Sequence, residues 1–517
     1  MKLLYITPFI AALTLLILSG GCNNPAPVDT SLPRSTPEAE GVSSEELLTF
    51  LDSAATGIHE FHSIMILRHG KVIAEGWWNP YGPELRHTLY SVSKSFTSTA
   101  VGFAVTEKLL STDDRVVSFF PDQLPDTVSP FLADMTVRDL LTMTAGQNPD
   151  PSNEITSSGS NWIPAFLSLP VVDDPGSRFL YNSMATFMLS AIVQKVTGEK
   201  VADYLQPRLF GPLGIKGIDW ESSPEGINAG GWGLRVKTED MAKFGLLYLQ
   251  KGMWNGKQII PAAWVEEATS FKIDQAPDAT PEIRAGNDWV QGYCYQFWRS
   301  RNNSYRADGA FGQYIMVIPE KDAVIAITSE SPDMQDVMNM VWNHILPAMK
   351  EETLPDNQSA AEKLKTTLAS LALPVPAKTE DSPLAETIRN KRFLLEENNL
   401  KLKYLTLDFA GDSCSLSLGN GETVRTIPFG RGEWITSMTE MAGPGILRRP
   451  GASSSNLVAG ACTWEDDSTL VLILRYIESP HHLKITCTFE GDTARVRIRQ
   501  STPPGYDLPV LNGVMVR

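Results

Sequence analysis

Two apolar hairpins stand at opposite ends of a helix-rich stretch, and this separation constrains the fold more than any other feature. The first is Ser63–Arg68 and Lys71–Glu75 around His69-Gly70, with glycine placed for a positive-φ turn. His69 is read as a solvated turn residue. The second is Gly312–Ile318 and Ala323–Ile327, joined by Pro319-Glu320-Lys321-Asp322. Helical patterns fill the space between: an apolar run after Lys94, a short amphipathic piece at Thr136–Leu141, Met184–Val196 stopped by Gly198, and a helix opened by Thr238. Hairpins that distant are expected to share one sheet flanked by helices.

At 517 residues the chain is long enough for two or three domains. Its texture changes after Lys350. Residues 351–383 hold a polar segment, an Ala-rich helix near Ala360–Leu371 and Pro374-Val375-Pro376, which is a linker pattern. Beyond it the period is two. Leu483, Ile485, Cys487 and Phe489 alternate with polar residues, as do Ala494, Val496 and Ile498 with Arg495, Arg497 and Arg499. Residues 384–517 are therefore expected to form an antiparallel all-β domain, a barrel or a sandwich, with the three arginines on a solvated face.

The N-terminus bears on compartment. Met1-Lys2, an apolar run to Leu18 and Ser19-Gly20-Gly21-Cys22 read as a secretory signal over residues 1–22, since a membrane span needs about 20 apolar residues. Residues 23–38 read as a tether and ordered structure is expected from 39, with Ser43 and Glu46 forming a capping box. Cys294, Cys414, Cys462 and Cys487 lack metal-like spacing and are expected to be buried thiols. No cofactor or metal is expected. A net charge of −16 argues against a nucleic-acid partner.

The chemistry is expected at Tyr90-Ser91-Val92-Ser93-Lys94. Ser91 and Lys94 are three apart, so a helix starting here sets hydroxyl and amine on one face, the outline of an activated nucleophile. A chain of this length shows about two such spacings by chance, so position carries the weight: the pair opens an apolar helix whose amides favour developing negative charge. His87 offers a Ser-His reading, which the lack of a Gly-x-Ser-x-Gly elbow disfavours.

Further boxes follow in order. They are Leu140-Leu141-Thr142-Met143-Thr144-Ala145-Gly146, then Tyr181-Asn182-Ser183 after a Pro-Gly turn, then Phe311-Gly312-Gln313-Tyr314. Over about residues 35–350 the chain resembles the serine β-lactamase and penicillin-binding-protein superfamily, in particular the branch of class C β-lactamases, D-aminopeptidases, family VIII-type esterases and nylon-oligomer hydrolases. A Cys after small residues resembles a bacterial lipoprotein signal, although Ser19 stands where leucine is usual. Lipidation at Cys22 and a periplasmic or envelope location are the expectations.

The resemblance implies a β-lactamase-like hydrolase domain over 39–350: an antiparallel sheet flanked by helices, with a helical subdomain. It implies acyl transfer through Ser91, with Lys94 and Tyr181 sharing the proton work and Ser183 in the place of a polar residue that contacts substrate or Lys94. The oxyanion hole would be the amides of Ser91 and Ala310, beside Gly309. At the third box the chain departs from the family, with Ala307-Asp308-Gly309 in place of Lys-Thr-Gly. The cation that holds a substrate carboxylate is missing, and Arg306 would share a strand face with Asp308. A small ester, amide or peptide is the expected substrate class. A true β-lactamase, a D-Ala-D-Ala carboxypeptidase and a non-catalytic cell-wall peptide binder are the rivals.

Overall fold

Strand β1 (Glu60–Arg68) and strand β2 (Lys71–Trp77) form the first hairpin, whose tip places both His69 and Gly70 at positive φ. This computed structural model describes residues 30–159, 161–445, 455–502 and 507–516. The signal-like segment and Cys22 lie outside them. Strands β3 (Trp298–Arg299), β4 (Tyr305–Gly309), β5 (Gln313–Ile318) and β6 (Ala323–Glu330) complete an antiparallel six-stranded sheet of order β2-β1-β6-β5-β4-β3. The two hairpins meet where β1 pairs with β6, Ile64 opposite Ile327 and Ile66 opposite Ile325.

Both faces of this sheet are buried, which explains why its strands read as continuous apolar runs rather than alternating ones. Met65, Leu67, Ile315, Val317, Val324 and Ala326 face one core with helices α2 (Ser93–Thr106), α3 (Ser183–Thr197) and α4 (Thr238–Leu249). Ile64, Ile66, Met316, Ile318, Ile325 and Ile327 face the other, closed by α1 (Ser44–Thr56) and by α5 (Met334–Met340), which runs on as a wider turn over Val341–Ile345. Helix α2 is buried almost along its length. Phe96 stacks on Phe244 at 3.9 Å, and a Cβ at Gly102 would lie 2.3 Å from the Trp264 indole.

Two expected connectors are fastened structure. Residues 32–38, expected as tether, include buried Leu32, a parallel bridge from Arg34 to Val72, and Arg34 ion pairs to Glu75 and Glu239 at 2.9 Å. In the expected linker, helix α6 (Gln358–Ala369) buries Leu364, and Leu368 and Leu371 press on β2 where Gly76 leaves no room for a Cβ.

The C-terminal region is a barrel and not a sandwich. Among the described residues its ring strands are β7 (Arg392–Leu395), β8 (Tyr404–Ala410), β9 (Ser413–Gly419), β10 (Val424–Gly430), β11 (Asn456–Asp466), β12 (Thr469–Tyr476), β13 (His482–Glu490), β14 (Thr493–Gln500) and β15 (Leu511–Met515), and a short further strand, Ile435–Thr439, pairs antiparallel with the start of β11. They run β10-β9-β8-β7-β15-β14-β13-β12-β11, and a parallel bridge from Gly430 to Ala461 closes the nine-stranded ring. Its interior is filled by the alternating positions, Leu483, Ile485, Cys487 and Phe489 facing Val496 and Ile498 among others. Arg495, Arg497 and Arg499 point outward. Cys294, Cys414, Cys462 and Cys487 are all buried thiols.

Candidate active site

Ser91 lies in a tight turn, Tyr90–Val92, that leads into α2. The nucleophile candidate thus precedes the α-helix proper, and Lys94 lies one turn further on, 2% exposed. Lys94 Nζ sits 3.3 Å from Ser91 Oγ, 3.0 Å from Ser183 Oγ and 2.6 Å from the Gly231 carbonyl oxygen. Ser183 Oγ and the Gly231 carbonyl hold the amine, and the Ser91 hydroxyl lies within hydrogen-bond distance of it.

The second box divides its labour by position. Asn182 caps α3, its side-chain oxygen accepting from the Met184 and Ala185 amides at 2.9 and 3.1 Å, while its amide donates to Gln147 Oε1 at 2.9 Å. That cap turns Ser183 towards Lys94 and leaves the Tyr181 ring beside the same amine. Tyr181 stacks on Trp298 with ring centroids 5.6 Å apart, and Lys94 Nζ lies 5.0 Å from its ring centre. Burial pushes the Tyr181 phenol well above its ordinary pKa, opposed by its hydrogen bond with Ser91. The Leu140–Gly146 stretch backs this box: the Met143 carbonyl accepts from the Leu180 amide at 2.8 Å, and the Met143 sulfur from the Asn182 amide at 3.3 Å.

The third box reaches the neighbourhood of Ser91 through a glycine. A Cβ at Gly309 would stand 2.2 Å from the Leu89 carbonyl oxygen, so only glycine lets β4 lie against the chain just before Ser91. Ala310 follows at the turn into β5. Its carbonyl accepts from Gln313 Nε2 at 3.0 Å, and Phe311 adopts φ 67°.

Arg306 and Asp308 share a face, as strand alternation requires, but they face each other's charge. Arg306 Nε donates to Asp308 Oδ2 at 3.0 Å, and Nη1 donates to Ser300 Oγ at 2.7 Å and to the Asp288 and Arg299 carbonyls at 3.1 Å. Trp289 lies under the guanidinium, 4.5 Å from its ring centre. Arg306 is 0% exposed, so it cannot replace the missing third-box cation at the surface of the cleft. Burial raises the Asp308 carboxyl, and Arg306 opposes that rise.

His87 takes no part in this constellation. It is 4% exposed and bonded to His62 at 3.2 Å and to the Thr88 carbonyl at 3.0 Å. Sequence reasoning missed Gly231. Gly230-Gly231-Trp232-Gly233 reads as a chain breaker, yet the Gly231 carbonyl is an acceptor for Lys94, and a Cβ there would lie 2.8 Å from the Ser183 carbonyl. Adjacent glycines are the signal for such close approach.

A Ser-x-x-Lys pair at a helix entrance with its lysine buried, a Tyr-x-Ser box leading into another helix and a strand running past the serine define the class: serine hydrolases of the β-lactamase and penicillin-binding-protein type. The Beta-lactamase family model matches residues 62–347, and the chain belongs to that family. It is 25% identical over 319 residues to a 6-aminohexanoate-dimer hydrolase of Paenarthrobacter ureafaciens, covering 58% of this chain and 80% of that protein. It is 26% identical over 302 residues to an uncharacterized protein of Alkalihalophilus pseudofirmus, covering 51% and 81%. Among solved structures, a candidate 6-aminohexanoate-dimer hydrolase from Bacillus anthracis shares the fold with a TM-score of 0.50 at 21% identity, covering 63% of this chain and 89% of the other.

Proposed function

We propose that this chain is an exported hydrolase that cleaves a carboxylic amide or ester through an acyl-enzyme on Ser91. The observation that carries this reading is the Lys94 amine held 3.3 Å from Ser91 Oγ by Ser183 and Gly231. Lys94 takes the hydroxyl proton as Oγ attacks the carbonyl carbon. A tetrahedral oxyanion forms, for which the Ser91 and Ala310 amides serve as donors. Tyr181, whose phenol burial keeps protonated, passes a proton to the leaving amine or alcohol and is restored through Lys94. Water then cleaves the acyl-enzyme by the same route.

The substrate needs no carboxylate beside the scissile bond. Ala307 supplies no cation, and Arg306 is committed to Asp308 inside the protein. The relative named 6-aminohexanoate-dimer hydrolase favours an amide over a strained β-lactam ring. Trp298 and Tyr181 offer an aromatic wall for an apolar acyl chain. The signal-like segment and Cys22 support export with a lipid anchor in the cell envelope, and the mass of the mature N-terminus tests that.

The activity is tested with purified protein against a chromogenic cephalosporin, a short p-nitrophenyl ester, a linear aminohexanoyl amide and a D-alanyl-D-alanine peptide. Turnover of the amide and ester with slow cephalosporin hydrolysis is the expected pattern. Preference for the cephalosporin would favour a β-lactamase, and preference for the peptide a carboxypeptidase. No turnover and no acylation would favour a peptide binder.

A further inference from the structure

The residues flanking the reacting groups are both aromatic and both strained. Tyr90, directly before Ser91, has φ 50°, and Phe311, directly after Ala310, has φ 67°. A left-handed backbone at a bulky residue costs roughly 1–2 kcal/mol and persists only where neighbours hold it. One side chain touches both, and it comes from the barrel. His481 lies in the turn between β12 and β13 and is fully buried. Its Nε2 is hydrogen-bonded to the Tyr90 hydroxyl, and its ring packs edge-on against Phe311 at 4.9 Å and Tyr90 at 5.8 Å.

The ring is oriented from behind. His481 Nδ1 lies 2.6 Å from Glu330 Oε1 at the end of β6. Burial alone would raise the Glu330 carboxyl, but its contacts with His481 and His482 hold it down at about 2, so it is a carboxylate at neutral pH. The tautomer that fits this geometry carries its proton on Nδ1, facing the carboxylate, and leaves Nε2 to accept from the Tyr90 hydroxyl.

The whole turn is docked beside the nucleophile. The Glu478 carbonyl accepts from the Thr88 amide at 2.9 Å, and its carboxylate holds Arg86 at 2.9 Å and Arg235 at 3.1 Å. Tyr81 donates to the Ser479 carbonyl at 2.9 Å, and Arg475 clasps Glu60 on β1.

We propose that the barrel is a working part of the active site: His481, oriented by Glu330, holds Tyr90 and Phe311 and thereby sets the spacing of the Ser91 and Ala310 amides. His481 and Tyr90 are positioning residues, acting on the oxyanion rather than on the bound substrate. This rests on the assignment of Ser91 as nucleophile.

The test compares native protein, Ser91→Ala, Tyr90→Phe, His481→Ala, His481→Gln and Tyr90→Phe/His481→Ala in the full chain. The readouts are the labelling rate by a fluorophosphonate probe, kcat and KM on a p-nitrophenyl ester, and Tm. Tyr90→Phe removes one oxygen and is expected to fold with a near-native Tm. Misplacing oxyanion donors is expected to lower kcat and labelling rate by about 10-fold to 100-fold at unchanged KM. The double variant should lose no more than the worse single one. His481→Gln, which keeps an acceptor for the phenol, should recover much of the rate. Native rates in Tyr90→Phe and His481→Ala, or losses that multiply in the double variant, overturn the proposal while Ser91 stands. Absence of labelling in the native protein, or labelling that survives Ser91→Ala, overturns the nucleophile assignment and this proposal with it.

Discussion

Lys94 and Arg306 are both buried basic side chains, but their hydrogen-bond partners differ. The three acceptors named at Lys94 are neutral oxygens, one of them the Ser91 hydroxyl. Arg306 is locked onto a carboxylate and three further acceptors. An amine at hydrogen-bond distance from a hydroxyl can exchange a proton with it. A guanidinium on a carboxylate does not deprotonate and holds shape instead. The difference teaches that a buried basic group can serve in proton transfer only where its partners let a proton move.

Substitutions should separate the two roles. Ser91→Ala is expected to remove acylation and lower ester or amide turnover by about 10⁴-fold or more, measured with enough enzyme to exclude a trace contaminant. Lys94→Ala should cost roughly 10³-fold to 10⁴-fold with little change in Tm; a near-native rate would mean that Lys94 is not the base. Arg306→Met should act the other way round. It strands the buried Asp308 and is expected to destabilise the fold by about 3–5 kcal/mol, seen as a lower denaturation midpoint. Pairing it with Asp308→Leu should recover most of that loss, because the couple is replaced by apolar volume, and catalysis should persist. A double variant that folds but is inactive would place Asp308 in the chemistry. Tyr181→Phe is expected to lower kcat by about 10²-fold.

The smallest expected effect is in pH. Glu40, bonded to Lys71, Ser35 and His69, and Glu330, bonded to His481 and His482, both titrate near 2 in the fold against an ordinary value of about 4.3. A depressed carboxyl adds stability above its unfolded pKa and loses it as pH falls through the folded one. The denaturation midpoint should therefore decline from about pH 4.5 towards pH 2. Glu330→Gln should flatten part of that decline.

How far the sequence reveals the molecule depends on the range of the cause. Ser91, Lys94, Tyr181 and Ser183 are set by spacing within one turn or one cap, and the structure brings them together. The barrel strands are legible because interior and exterior alternate along each one. Whether those strands close is not, since closure turns on one bridge between Gly430 and Ala461. The sheet strands conceal their faces because helices cover both. The pairing of Arg306 with Asp308 follows from alternation, whereas the carbonyl of Gly231 reaches Lys94 from a loop whose glycines read only as a breaker. His481 is least legible, because it meets Tyr90 and Glu330 only through the docking of the barrel.

The proposed mechanism turns on a covalent acyl intermediate on Ser91. Rapid acid quench of native protein with a p-nitrophenyl ester, followed by peptide mass spectrometry, tests it directly. An acyl mass increment is expected on the peptide containing Ser91, formed with a burst of nitrophenol and absent from Ser91→Ala. Turnover with no acylated peptide, or an adduct on another residue that persists in Ser91→Ala, would contradict it.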